Sequence, residues 1–344
     1  MFRLSGTCAL VLWGFVTAAC AATPAAPTRI EDAKIDRWDP AMDAIVPKDW
    51  KIEKLAEGFG WAEGPIWVKS GGYLLFTDVP GNKMWKWSGK GGLEKFLDPS
   101  GATDPDKAIW REAGANGLSL DGKGGILIAD TGNRGIQSLN LATKKKTPVA
   151  MAFEGKKFAS PNDVTRMSNG VLFFSDPPYG YNKFDEAEQI EIKFNGVYRM
   201  GVDGKVTAIE RELYRPNGVA LSPDEKTLYV TQSEPTKAII NAYTLDANGN
   251  VTGKRLFQDV TDLVNDATPG LPDGLTVAAD GTVFTSGPGG ILVISKEGKR
   301  LGRISDGKPT ANCKFGDDGK TLYMTSKDMI ARIRLNVSGI GFGK

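Results

Sequence analysis

Histidine is absent from all 344 residues of this chain. Its absence removes every Ser-His-Asp and Cys-His nucleophilic mechanism and any histidine general base. Cysteine is scarce as well, with only Cys8, Cys20 and Cys313. Two of these stand in the first twenty residues, so neither a disulfide framework nor a usual His/Cys zinc centre can be assembled. Cys313 reads as a small buried strand residue. Charge of one sign is lacking too. The 43 Lys and Arg against 41 Asp and Glu leave +2, which asks for neither nucleic acid nor an anionic membrane. The run Lys144-Lys145-Lys146 reads as a solvated turn edge. What remains for polar chemistry is carboxylate, amide oxygen, hydroxyl and lysine, and such groups favour hard cations such as Ca²⁺, Mg²⁺ or Mn²⁺.

Residues 1–22, MFRLSGTCALVLWGFVTAACAA, carry an early Arg3, an apolar stretch and then small residues. They read as a signal peptide with cleavage after Ala21 or Ala22, and so as an exported protein, periplasmic or secreted. The apolar stretch is too short for a comfortable membrane span. A lipid anchor on Cys20 is the alternative, weakened by Thr17 standing where Leu is usual. Without this segment, which holds one charge, Arg3, the balance is 42 − 41 = +1. Residues 23–49 are Pro/Ala-rich and then mixed, and read as a lead-in. Residues 50–340 form the expected folded domain.

Within that domain six segments open with one polar residue at the same point of a repeated pattern. They start at Glu63, Asn116, Asn162, Asn217, Asp273 and Asn312, spaced by 53, 46, 55, 56 and 39 residues. Each has a strand-like run, a Gly- or Asp-rich turn, and a second run such as Tyr73-Leu74-Leu75-Phe76 or Thr227-Leu228-Tyr229-Val230. Long helical periodicity is missing; short turns are expected near residues 104–111 and 259–264. The class is therefore all-β, and six self-similar units predict a six-bladed β-propeller with one four-stranded blade per repeat. Asn-Gly and Asp-Gly are common turn dipeptides, yet turn propensity does not explain one shared register. If each lead residue begins an innermost strand, six oxygen-bearing side chains point at one axis. Two carboxylates with amide carbonyls suit a cation shell with open positions.

At these residues the chain resembles the family of gluconolactonase, regucalcin (senescence marker protein) and the luciferin-regenerating enzyme. The resemblance spans roughly residues 50–335. It rests on Glu63-Gly64-Pro65, Phe153-Glu154-Gly155-Lys156-Lys157-Phe158, Ser160-Pro161-Asn162-Asp163-Val164 and Phe174-Ser175-Asp176-Pro177-Pro178-Tyr179-Gly180. Pro216-Asn217-Gly218, Pro272-Asp273-Gly274 and Thr131-Gly132-Asn133-Arg134 add to it. It implies a divalent cation, Ca²⁺ foremost with Mg²⁺, Mn²⁺ or Zn²⁺ open, held by Glu63, Asn217 and Asp273, with Asn162 beside it as ligand or substrate contact. It also implies that Asp273 transfers the proton.

The resulting expectation is a lactonase that opens a sugar lactone to the aldonic acid, with the cation polarising the carbonyl. Asn116, Asn162, Arg134 and Tyr179 are the expected substrate contacts; Trp61 and Trp110 are candidates by chemistry alone. The family's bacterial branch often carries a histidine near the Gly-Asn-Arg segment, and none can act here. A metal-dependent esterase or phosphotriesterase on the same ring is the alternative enzyme. A non-catalytic Ca²⁺-stabilised propeller binding a sugar or protein is the alternative of another class. The loops at residues 177–189 and 234–240 are expected over one face of the channel.

Overall fold

A computed structural model describes residues 26–342. The expected signal peptide, its cleavage site and Cys20 lie outside these residues. Six antiparallel sheets form the body of the protein, each wound outward from an inner strand by consecutive hairpins. The inner strands are Ala62–Val68, Ala115–Leu120, Val164–Arg166, Pro216–Leu221, Leu275–Val277 and Thr310–Gly316. Each packs on the inner strand of the next blade, and the sixth packs on the first, which closes the circle. The ring covers the inner edge of every blade and leaves the outermost strand as its open edge.

Burial follows position in the blade. The second strands, such as Tyr73–Asp78, Leu172–Asp176 and Thr321–Ser326, are nearly all buried because both of their faces meet a neighbouring blade. Their sequences are accordingly continuous apolar runs and not strict alternation. Outer strands such as Gly92–Leu97 and Val251–Asp259 are mostly exposed. The core is consequently divided into one apolar layer per blade interface. Ile66, Val68, Leu75 and Met84 of blade 1, for instance, meet Ala115, Leu118, Ile126 and Ile128 of blade 2. Phe59, Trp67, Phe76 and Trp87 of blade 1 meet Tyr323 of blade 6, with Trp67 stacked on Tyr323 at 5.4 Å.

The ring is closed by the chain's early residues. Ile52–Glu57 is the fourth strand of blade 6, paired along Met329–Arg334, and Thr28–Arg29 adds a further edge pair. Lys34–Arg37 pairs with Arg300–Ser305 of blade 5. A one-turn helix, Met42–Ile45, sinks Met42 and Ile45 into the layer between blades 5 and 6. The segment expected as a lead-in is thus stitched to two blades. The lock pairs residues near one end of the chain with residues near the other, so it cannot form until the ring is almost complete.

Candidate active site

The register expected for the six lead residues is realised at one end of the axis. Glu63, Asn116, Asn217 and Asn312 lie at or near the start of their inner strands, and Asn162 and Asp273 stand two residues ahead of theirs. In blades 1, 2, 4 and 6 the ladder shifts register at this point, a bulge that turns the lead side chain out of the ordinary alternation.

Two devices fix the ring. One is the glycine that follows most of the lead residues. A Cβ on Gly218 would stand 2.2 Å from the carbonyl oxygen of Asp273, and one on Gly64 would stand 2.1 Å from that of Asn116. The Asn-Gly and Glu-Gly pairs are thus read here as close approach of neighbouring inner strands, and not as turns. The other device is a hydroxyl at the end of the second strand that donates to the next blade's lead carbonyl. Thr77 reaches Asn116 at 3.1 Å, Ser175 reaches Asn217 at 2.5 Å and Thr231 reaches Asp273 at 2.7 Å. The last residue of these strands pins a loop as well. Asp78 accepts from the N–H groups of Gly60 and Trp61, and Asp176 from those of Ala159 and Ser160.

A cavity of about 580 Å³ opens above the ring, lined by Glu63, Asn116, Asn162, Asn217 and Asp273 with Trp61, Arg111, Glu112, Tyr179 and Ser233. Five of the six lead residues therefore reach it. Asn312 does not line it: its amide nitrogen donates to Glu63 Oε2 at 3.1 Å, and its oxygen accepts from the Cys313 N–H. Glu63 Oε2 also accepts from the Gly64 N–H at 2.9 Å. Asn217 gives its amide nitrogen to Ser233 Oγ at 2.9 Å, and Ser233 in turn donates to the Pro272 carbonyl.

Electrostatically the cavity is overloaded with negative charge. Burial pushes Glu63 up to about 8, helped by the charges of Asp163 and Glu112 and opposed by the Gly64 N–H and the Asn312 amide. Asp273 is held well above the usual carboxylate range, by burial first and then by Glu63, Asp163 and Glu112. Burial also takes Glu112 to about 7, against the pull of Arg111, and Asp163 to about 6. Tyr179 is pushed upward by burial too, so its phenol stays a hydrogen-bond donor. Arg111 is the one basic side chain lining the cavity among the described residues.

The residues present fit a hard divalent cation. Asn116 Oδ1 and Asn217 Oδ1 are fully buried and accept no hydrogen bond. An unpaired buried acceptor costs about 1–3 kcal/mol, and both oxygens stand in a cavity with the Glu63 and Asp273 carboxylates. No three His, Cys, Asp or Glu side chains among the described residues converge as a ligand group, so a cation here has to draw on amide oxygen. Amide and carboxylate oxygens are the ligands that Ca²⁺ prefers.

One expected contact is corrected. Arg134 does not line the cavity. Its Nε donates to the Phe158 carbonyl at 2.6 Å and Nη2 to that of Gln189 at 3.0 Å, while Glu191 pairs with it at 3.2 Å. It staples loops because its guanidinium meets these acceptors, and the Lys157 carbonyl at 3.4 Å, before it can reach the axis. Trp110 stacks on Tyr181 at 4.8 Å instead of facing the cavity, whereas Trp61 and Tyr179 do face it. The sequence reading missed Arg111 and Glu112, which sit in the insertion between blades 1 and 2, where no repeat marks them.

Fold and cavity together define a six-bladed propeller with an oxygen-lined axial site, and comparison with known proteins gives the lineage. Residues 61–328 match the family described as SMP-30/Gluconolactonase/LRE-like region, and the chain belongs to that family. It is 40% identical over 310 residues to a gluconolactonase of Zymomonas mobilis, covering 89% of this chain and 87% of the relative. A solved gluconolactonase of Xanthomonas campestris superposes with a TM-score of 0.77 at 25% identity, covering 91% of this chain and 98% of the other. The calcium-binding regucalcin of Agrobacterium tumefaciens shares the fold, with a TM-score of 0.63 at 19% identity over 83% of this chain and 94% of the other.

Proposed function

We propose that this protein is a metal-dependent lactonase that opens a sugar lactone to the corresponding aldonic acid. The lactone-hydrolysing part is supported by kinship with gluconolactonases along nearly the whole chain. Metal dependence is carried by one observation: the buried amide oxygen of Asn217, which has no partner, shares a cavity with the Glu63 and Asp273 carboxylates.

Glu63, Asn162, Asn217 and Asp273 would hold the cation, a hard one such as Ca²⁺ that takes carboxylate and amide oxygen. When bound, it supplies Lewis acidity toward the lactone carbonyl and charge to balance the developing oxyanion. The chain's own groups do the rest. Asp273 takes a proton from the attacking water as the new C–O bond forms at the carbonyl carbon. It returns that proton to the ring oxygen as the ring C–O bond breaks, leaving an aldonic acid. Ring oxygen and water proton are thus both accounted for. The Tyr179 phenol and the amides of Asn116 and Asn162 orient the lactone, and Trp61 offers an apolar wall. No histidine is needed.

Export to the periplasm or beyond belongs to the same proposal and rests on the sequence of residues 1–22. Intact-mass measurement on protein from its native host should show their loss; a full-length product contradicts export, and a lipid-sized increment on Cys20 marks an anchor.

The function is tested with a substrate panel followed by pH-indicator acidification. Aldonolactones should be hydrolysed at least tenfold faster, by kcat/KM, than linear esters and phosphotriesters. Preference for either of those classes would overturn the lactone assignment, and saturable sugar binding without turnover would overturn catalysis.

A further inference from the structure

The cavity has one wall that belongs to no blade. It is made from the insertion between blades 1 and 2 and from the loop that follows the second strand of blade 3, and the two are welded together. The N–H groups of Arg111 and Glu112 both donate to the Gly180 carbonyl, at 2.8 and 3.1 Å. Asn182 returns its amide to the carbonyls of Lys107 and Ala108, at 2.9 and 3.1 Å. Trp110 stacks on Tyr181, and the Arg111 guanidinium lies 5.0 Å over the Phe184 ring. Arg111 Nε also donates to the Tyr179 carbonyl at 3.1 Å. Phe184 itself has φ of 46°, a left-handed conformation that a bulky residue adopts only when its surroundings impose it.

This wall delivers one buried carboxylate to the cavity. Glu112 is 8% exposed, and its Oε1 pairs with Arg111 Nη2 at 2.6 Å. Its Oε2 receives no donor from the described residues, although the side chain lines the cavity. Neither Arg111 nor Glu112 lies on an inner strand, so the pair is separate from the ring of lead residues. The Arg111 contact fixes the carboxylate in orientation, which removes the entropy that a free Glu would lose on binding. A preorganised carboxylate with an open oxygen is an acceptor suited to sugar hydroxyls.

We infer that Glu112 is a specificity-determining residue, whose open oxygen accepts hydrogen bonds from the ring hydroxyls of a polyhydroxylated lactone while Arg111 holds it in place. This rests on the lactonase reading above. The site then selects sugar lactones over plain ones through a group that does not touch the bond being broken. A hydrogen bond to a charged group is worth about 1.5–3 kcal/mol, or roughly ten- to a hundred-fold in binding at 1.4 kcal/mol per decade.

The test compares glucono-δ-lactone with δ-valerolactone, which has the same ring and carbonyl and no hydroxyls, in wild type and Glu112→Gln at saturating Ca²⁺. The Glu112 charge raises Asp273 and Glu63, so removing it acts on both lactones and on the Ca²⁺ requirement alike. The effect on recognition is therefore read as the ratio of KM for the sugar lactone to KM for δ-valerolactone. That ratio should rise at least tenfold in the variant while the ratio of their kcat values stays within threefold. Inhibition by 1,5-anhydroglucitol, a ring with the hydroxyls and no carbonyl, should weaken in parallel. If Glu112→Gln does not fold, as judged by thermal unfolding, Glu112→Asp keeps the charge and withdraws the oxygen by one methylene, and should show the same split. Equal losses on the two lactones would overturn the inference while leaving the lactonase reading intact. Wild-type protein inactive on both lactones would remove the reading and the inference together.

Discussion

Replacing Asp273 by Asn separates two roles that one carboxylate is asked to fill. The backbone around it is fixed independently of its side chain: Ser286 Oγ accepts from its N–H at 2.9 Å, and Thr231 Oγ1 donates to its carbonyl at 2.7 Å. The substituted residue therefore stays in place. Asn keeps a carbonyl oxygen for a cation but cannot accept a proton at neutral pH. It also removes one charge from a cavity where Glu63, Asp163 and Glu112 already raise Asp273, so thermal stability in cation-free buffer should hold or rise. Turnover should fall by about 10²–10⁴-fold, the usual contribution of a general acid–base group, which corresponds to about 3–5 kcal/mol of transition-state stabilisation. The assay is initial-rate hydrolysis of glucono-δ-lactone with Ca²⁺ raised until the rate no longer responds, beside a thermal unfolding curve. A variant within threefold of wild type under those conditions would refute the proton-transfer role and leave Asp273 a ligand only.

Three further substitutions test the scaffold. Gly218→Ala puts a methyl 2.2 Å from the Asp273 carbonyl oxygen; it should cost about 1–3 kcal/mol of stability and lower kcat, measured by denaturant unfolding and by turnover. Arg134→Ala should lower the unfolding midpoint through the lost contacts to Phe158, Gln189 and Glu191 while leaving KM within about twofold, whereas a substrate contact would raise KM tenfold or more. Glu210 is buried, which by itself raises its pKa, but Lys254, the Tyr243 hydroxyl and the Glu212 N–H outweigh burial and hold it below the ordinary 4.5. Its stabilisation is therefore fully present above about pH 4.5 and lost as pH falls through the lowered folded value. Glu210→Gln should lose about 1 kcal/mol at pH 7, discounted because Lys254 is partly exposed, and the gap to wild type should close in acid.

How far the sequence could be read depended on whether a feature repeats. The six lead positions recur in one register, so the blade count and the axial placement of Glu63, Asn116, Asn162, Asn217 and Asp273 were legible from spacing alone. What the glycines after them do was not, since Asn-Gly looks the same whether it makes a turn or admits a neighbouring carbonyl. Asn312 shares the register but spends its amide on Glu63, a choice made by a contact 249 residues away in sequence. Arg134 ends a family-like motif and reaches backbone carbonyls first. Arg111 and Glu112 lie in an insertion that occurs once, and only the weld to the loop carrying Tyr179 brings them to the cavity. The closing strand Ile52–Glu57 was expected within the folded domain, but its partner Met329–Arg334 is set by ring closure and not by local pattern.

We propose that lactone hydrolysis depends on a cation held by the axial oxygens. The most direct test is a calcium titration of chelator-stripped protein, with glucono-δ-lactone hydrolysis followed at each addition and cation content checked by elemental analysis. The rate should fall to background in the stripped protein and return along a single saturable curve that Asn217→Ala shifts to higher Ca²⁺. Full hydrolysis by protein with no detectable divalent cation would contradict that dependence.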